Sequence, residues 1–303
     1  MALPASGAIS LNQVNVELGS AGTTSINMNQ STVRTLFGVS SGAISMSNGY
    51  GKANQFAFSI TSAQTNANLR TLAVNAGWNQ STKVVATINS GVVMTSDTVG
   101  TPGLTINGAW PSGIELVNNG TIVGRGGNAG AGGSATGYSI GAKTPGSAGA
   151  AGGLALTISV AASIRNNGTI AGGGGGGGGA GGFTVQQGTP KDVTYLLFGG
   201  GGGGGGRSSL TNSSGAAGGA GANGAGVAGS AGTFSGAGAG GRGGTGPGNQ
   251  QGGTGGSWGA GGGAGQRYSN GAPGGGGGGA GPATSGQGNV TWLATGTRLG
   301  PLG

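Results

Sequence analysis

The chain has 303 residues, 84 of them Gly, with no Cys, no His, 12 Lys and Arg, and only 4 Asp and Glu. That composition excludes a disulfide framework, His or Cys ligation of zinc and most general acid–base chemistry, which draws on His and paired carboxylates; no metal and no cofactor is expected. The net charge of +8 comes from well-spaced cations, so no nucleic-acid partner is expected, and no apolar run approaches the roughly 20 residues of a membrane helix.

Residues 1–53 form a small head. The first 19 residues lack the basic start and apolar core of a signal peptide, which points to synthesis in a cytoplasm. Ser10 with Gln13 three residues on fits a capping box ahead of Val14 and Leu18, and Gly19 ends that helix. Asn29 or Ser31 caps a second short helix carrying Val33, Leu36 and Phe37, stopped by Gly38. Two such helices bury too little surface to stand alone, so the head is expected to dock on a partner or on the next domain.

Residues 54–123 are β-rich. Strands are expected at Gln55–Ile60, Lys83–Ile88, 92–95 and Leu104–Ile106, with a helix over 66–76 that places Leu69, Leu72 and Ala73 on one face. Trp78 and Trp110 are read as core or shoulder packing. An internal repeat follows: 114–127 reads IELVNNGTIVGRGG and 164–174 reads IRNNGTIAGGG. Both place a β segment, an Asn-Asn-Gly turn, Thr-Ile and then glycine, so they read as two equivalent entries into the glycine region. Two copies are too few to read as a solenoid array. Between them, 154–164 is the strongest strand of the second half, and 290–293 is expected as a last strand covering the glycine region with Trp292 packed on it.

Glycine runs at 172–182, 199–206, 215–232, 236–246 and 274–281 dominate the rest. Collagen needs Gly at every third place with abundant Pro; the spacing holds at Gly215, Gly218, Gly221 and Gly224 but breaks at Gly226, and there are only 9 Pro. Mean hydropathy is zero and 5% of residues are charged, unlike the charged, polar composition of most disordered chains. In polyproline-II geometry 172–182 would span about 34 Å, and the runs at 199–206 and 274–281 about 25 Å each. Such helices make no internal hydrogen bonds, so buried ones must pair with each other. Ordering costs roughly 1–2 kcal/mol per residue against about 0.5–1.5 kcal/mol per hydrogen bond, so energy alone leaves rods and flexible tether both open. The breaks at 183–198, 207–214 and 266–273, short, polar and aromatic-bearing, favour rods joined by tip loops.

The head carries Pro4, Ser6–Gly7, Ile9–Ser10, Leu18–Gly19, 44–47 (ISMS) and 50–52 (YGK), a pattern that resembles the N-termini of bacteriophage tail-tip and tail-fibre proteins. The glycine runs broken by loops over about 114–288 are similar to the distal tail-fibre adhesins of T-even-type phages, and the ending GNVTWLATGTRLG resembles the C-termini of phage tail proteins. The resemblance implies a mostly β and irregular fold: an α-containing attachment head (1–53), a β-rich support domain (54–123), a polyglycine-II helix sandwich with receptor-binding loops (124–288) and a closing strand and tail (289–303). It implies a non-enzymatic adhesin in the virion tail tip or fibre. Its partners would be other phage tail proteins, through the head, and a bacterial outer-membrane protein or surface glycan, with no membrane insertion. Val14, Leu18, Val33, Leu36 and Phe37 are the tail-attachment candidates. Tyr138, Lys143, Phe183, Lys191, Tyr195, Arg207, Phe234, Trp258, Arg267 and Tyr268 are the receptor-binding candidates, because aromatic and Arg side chains on loops make the strongest contacts; Phe183, beside a long run, is expected to pack. The alternative is a purely structural tail protein with glycine-rich packing layers. The segment 137–144 (GYSIGAKT) fails as a phosphate loop because Ala142, not Gly, precedes the Lys. Whether the chain sits singly on a trimeric partner or forms a homotrimer is open.

Overall fold

The structure is a computed structural model that describes residues 3–52, 54–136, 142–190, 192–246 and 248–303. In the head, α1 (Leu11–Glu17) begins at the expected capping box: Gln13 N–H donates to Ser10 Oγ and Ser10 N–H to Gln13 Oε1. Helix α2 (Ser31–Phe37) starts one residue from either expected cap, at Gln30, whose side chain makes no capping bond, and ends on Gly38 in the left-handed region at φ 71°. Leu3, Ile9, Val14, Val33, Leu36 and Phe37 close a small core, with Leu18, Ile26, Met28, Val39, Ile44 and Met46 packed around it. Gly49 lets the Phe37 ring lie against the chain, since a methyl there would come within 2.7 Å of it. This corrects the attachment candidates: Val14, Val33, Leu36 and Phe37 are buried and Leu18 packs beside them, so a partner on the outside of the head meets other residues, such as Leu11, Val16 and Tyr50, which are exposed.

Beyond the head the strands wind into a three-sided parallel β-helix. The first turn is β1 (Gln55–Ile60), β2 (Gln64–Thr65) and β3 (Ala67–Asn68), followed by α3 (Leu69–Asn75), which Asn68 caps through its side chain. The second turn is β4 (Lys83–Ile88), β5 (Val93–Thr95) and β6 (Leu104–Ile106), and the third β7 (Ile114–Asn118), β8 (Thr121–Val123) and β9 (Leu156–Ile158). The fourth begins with β10 (Ala162–Asn166) and β11 (Thr169–Ala171). The chain then departs through the hairpin β12 (Phe183–Thr189) and β13 (Asp192–Phe198) before the turn is completed by β14 (Thr284–Ser285). The fifth is β15 (Val290–Ala294) and β16 (Thr297–Leu299), with Leu302 bridged to Thr284 on the third side. The three sheets run β1-β4-β7-β10-β15, β16-β11-β8-β5-β2 and β14-β9-β6-β3.

Alternating strands put Val84, Ala86, Ile88, Met94, Leu104, Ile106, Leu116, Ile122, Leu156, Ile164 and Ile170 inside one core. Trp78 and Trp110 stack at its margin with ring centroids 4.8 Å apart. The Asn-Asn-Gly repeat is a corner of the prism seen in two successive turns: Asn118 pairs with Asn166 in the sheet register. Asn118 Nδ2 donates to Asn166 Oδ1 at 2.7 Å, and Asn166 Nδ2 donates to the carbonyls of Thr295 and Thr297 in the next turn. Outside, Glu115 bridges Lys83 and Arg165 at 3.2 and 3.9 Å across three strands.

Three expectations change. The repeat belongs to a solenoid after all, and the boundaries at 123 and 288 do not follow the hydrogen bonding, because β10 and β15 share a sheet with β1 and β4. The last strand closes the β-helix rather than covering the glycine region. Trp292 lies against the prism core, and its Nε1 donates to Gln287 Oε1.

The glycine region is two excursions, 124–153 and 172–283, that leave and re-enter the prism at one corner, between β8 and β9 and between β11 and β14. Its runs take no helix and no strand, yet their backbones are paired with a strict period of three. In 172–182, the N–H groups of Gly173, Gly176 and Gly179 donate to Gly153, Ala150 and Ser147. Those of Gly174, Gly177 and Ala180 donate to Arg207, Gly204 and Gly201, and those of Gly175, Gly178 and Gly181 to Ala260, Gly263 and Gln266. Its carbonyls accept from three further runs: Gly127, Gly130 and Gly133; Gly253 and Gly256; and Gly275, Gly278 and Gly281. The run at 199–206 is enclosed in the same way, donating to 224–230, 127–133 and 250–256. A Cβ added at any glycine of 172–182 lands on a carbonyl oxygen of a neighbouring run. Ala180 is the one methyl admitted there, and it is fully buried.

Candidate recognition end

Consecutive runs alternate in direction, so the connections between them fall at two ends of the lattice. At the proximal end, against the β-helix, lie 207–213, 232–236 and 257–260. Ser209 Oγ donates to the Ser96 carbonyl and Leu210 N–H to Thr95 Oγ1, while Arg125 reaches the carbonyls of Asp97 and Asn212. At the distal end lie Thr136 and Ala142, joined by a main-chain bond, the β12–β13 hairpin, the turn at 221–224, the connection after Thr245, and 267–271.

The structure divides the receptor-binding candidates between these ends. Arg207, Phe234 and Trp258 are proximal. The Arg207 guanidinium lies 3.7 Å over the Trp258 ring, Phe234 meets that ring edge-on at 4.9 Å, and Trp258 Nε1 donates to the Ser208 carbonyl. Arg207 Nε donates to the Phe234 carbonyl. The cluster locks three base loops together, and the segment 207–214, expected at the tip, sits beside the prism. Lys143, Phe183, Tyr195, Arg267 and Tyr268 are distal. Tyr138 and Lys191 lie outside the described residues.

The distal end is built on an aromatic cap. Phe183, where β12 begins, is fully buried and stacks on Phe198, where β13 ends, at 5.2 Å, while the Tyr268 ring meets it tilted at 5.2 Å. Bulky rings have no place among close-packed glycine runs, so at each end of the hairpin an aromatic side chain terminates the lattice. Gly246 gives the Phe198 ring its seat, since a methyl there would come within 2.5 Å of it, and Gly248 does the same for Tyr268. Lys143 Nζ donates to the Asn270 carbonyl and, at 3.4 Å, to Thr184 Oγ1. Asn223 Oδ1 accepts from Leu197 N–H at 2.8 Å, tying the 221–224 turn to the hairpin. Arg267 Nε donates to the Gly271 carbonyl within its own loop.

Above this cap the hairpin projects. Its pairing runs from Phe183 with Phe198 to Thr189 with Asp192, and Gly188 takes φ +114° near the end. Gln186, Gln187, Thr189, Asp192, Val193 and Thr194 are exposed, Tyr195 is half-buried, and Ser269 and Asn270 flank them on the neighbouring loop. Composition alone did not single out Gln186, Gln187, Val193 or Asn270. Their signal is position, in the middle of the break between two runs rather than beside a run.

Residues 55–191, from β1 through β12, match the family model described as phage tail fibre adhesin Gp38. No curated protein matches the chain. Among solved structures it is similar to the gp37-gp38 adhesin tip complex of the bacteriophage S16 long tail fibre, with 27% identity, 90% of this chain and 92% of that chain covered, and a TM-score of 0.52. Over residues 55–191, then, the chain is similar to the phage tail fibre adhesins, and its place is the tail of the virion.

Proposed function

We propose that the chain is a non-enzymatic receptor-binding adhesin whose distal loops recognise a protein or glycan on the bacterial surface. One observation carries this reading: the exposed hairpin end and the adjoining loops gather at the end of the lattice away from the β-helix, on a support stabilised almost wholly by backbone. The three-residue bonding period and the enclosure of 172–182 and 199–206 by neighbours on every side fit polyglycine-II helices, which have three residues per turn and no internal hydrogen bonds. The loop side chains therefore contribute little to holding the lattice and are free to serve binding. Receptor contact centres on 186–190 and 192–194 with Tyr195, Ser269 and Asn270, while Phe183 supports from beneath. Arg207, Phe234 and Trp258 act in the joint to the β-helix.

The S16 structure is a complex of two tail-fibre proteins, and by that likeness another tail protein holds this chain, with the head at 1–53 as the attaching part. Replacing 184–197 by a short Gly-Ser turn tests the reading. The variant is expected to stay soluble and lose binding to host cells that capture the intact protein. Undiminished capture would remove the hairpin from the site. Capture by neither form, with normal incorporation into virions, would leave a purely structural tail component.

A further inference from the structure

The distal loops are bonded to one another, and the Lys143 ammonium stands between two of them. Lys143 leaves the run that returns from residue 142, and its ammonium donates both to Thr184 Oγ1 in the first turn of the hairpin and to the Asn270 carbonyl of the 267–271 loop. Thr184 is buried and Lys143 half-buried, so the ammonium is held at the base of the loops by these two bonds. Beneath it the Phe183, Phe198 and Tyr268 rings join the same two segments from the apolar side. Hairpin and 267–271 loop are thus fixed to each other twice, by rings below and by the Lys143 donor above.

We propose that Lys143 is a positioning residue for recognition. It sets the described hairpin end, residues 186–190 and 192–194, against Ser269 and Asn270, so that the receptor meets one composite surface instead of independent loops. This rests on the distal-end reading above and replaces a direct receptor contact for Lys143 with an indirect one. A lysine donating to a neutral carbonyl and a hydroxyl has no charge to neutralise, so its part here is geometric, and any donor of similar reach should serve.

The test uses the full chain with Lys143→Met, which keeps length and removes the donor, and Lys143→Arg, which keeps a donor. Cell binding and amide hydrogen exchange are measured on both. Lys143→Met is expected to weaken capture roughly tenfold, the scale of one charged hydrogen bond. It is also expected to speed exchange at 184–189 and 268–271 while 172–182 stays protected, with Lys143→Arg restoring most of both. Weakened capture with unchanged exchange would make Lys143 a receptor contact and overturn the proposal, as would unchanged capture together with unchanged exchange. Faster exchange without loss of capture would refute the role in recognition while leaving the strap intact. If the intact chain captures no cells, the distal-end reading fails by itself, separately from the exchange result.

Discussion

The β-helix and the glycine lattice solve the same problem with opposite means. In the β-helix, side chains hold the fold: Val84, Ile88, Met94, Leu104 and Leu116 fill a core with no exposure, each worth roughly 1.5–3 kcal/mol in burial. In the lattice side chains are the hazard. The runs at 172–182 and 199–206 are fully buried and contain one methyl, Ala180, between them. Their order comes from N–H···O bonds to neighbours on every side, each netting about 0.5–1.5 kcal/mol. A buried apolar face can absorb a conservative substitution by repacking, whereas a backbone lattice at contact distance has nothing to repack.

Three substitutions sharpen that contrast. The largest effect is expected from Gly176→Ala, whose added methyl falls on the Asn128 carbonyl. With backbone on both sides it should cost more than about 4 kcal/mol, read as loss of slow exchange through 172–182 and 199–206. Survival of that protection would mean that the runs slide past each other, and the lattice would not be rigid. Leu116→Ala, in the middle of β7, should cost about 2–5 kcal/mol in urea unfolding, as cavities in close-packed cores do. A smaller loss would show the prism to be the softer of the two regions. The smallest effect belongs to Gly276→Ala. Nothing lies within 4 Å of the added methyl and the backbone there is not left-handed, so this outward glycine should accept it with a gain of up to about 1 kcal/mol from reduced unfolded-state freedom. A marked fall in melting temperature would mean that position 276 is covered in solution.

The same contrast explains what the sequence disclosed. Capping at Ser10, the strands at Gln55–Ile60 and Lys83–Ile88 and the equivalence of the two Asn-Asn-Gly segments were legible, because each depends on residues close in the chain. The solenoid was not. Asn118 and Asn166 bond across 48 residues, and β11 and β14 are parted by the whole of 172–283, so the turns show no fixed period. The spacing at Gly215 and Gly218, the start of the series set aside as failed collagen, is the mark of an outer run. A run on the rim meets its neighbours with two residues in three: Gly215 and Gly218 lie against Gly229 and Gly226, Ala216 and Gly219 donate to Gly203 and Gly200, and Ala217 and Ala220 face solvent. An enclosed run must be glycine throughout. For the candidate site, loop composition named distal residues such as Phe183, Tyr195 and Tyr268 together with residues of the base, because it could not tell one end of the lattice from the other. That distinction rests on run direction, and it moved Arg207, Phe234 and Trp258 to the base.

The period of three also gives the lattice a reading frame. Lengthening a run by three residues adds one full turn and leaves every later residue facing the neighbour it faced before. Adding one or two rotates the remainder by part of a turn, which on a rim run swings alanines such as Ala217 and Ala220 inward against carbonyl oxygens. Loops between runs carry no such frame. Insertions and deletions of any length can therefore accumulate in the distal loops, while inside the runs only multiples of three are silent, so genetic variation is steered toward the loop-bearing ends.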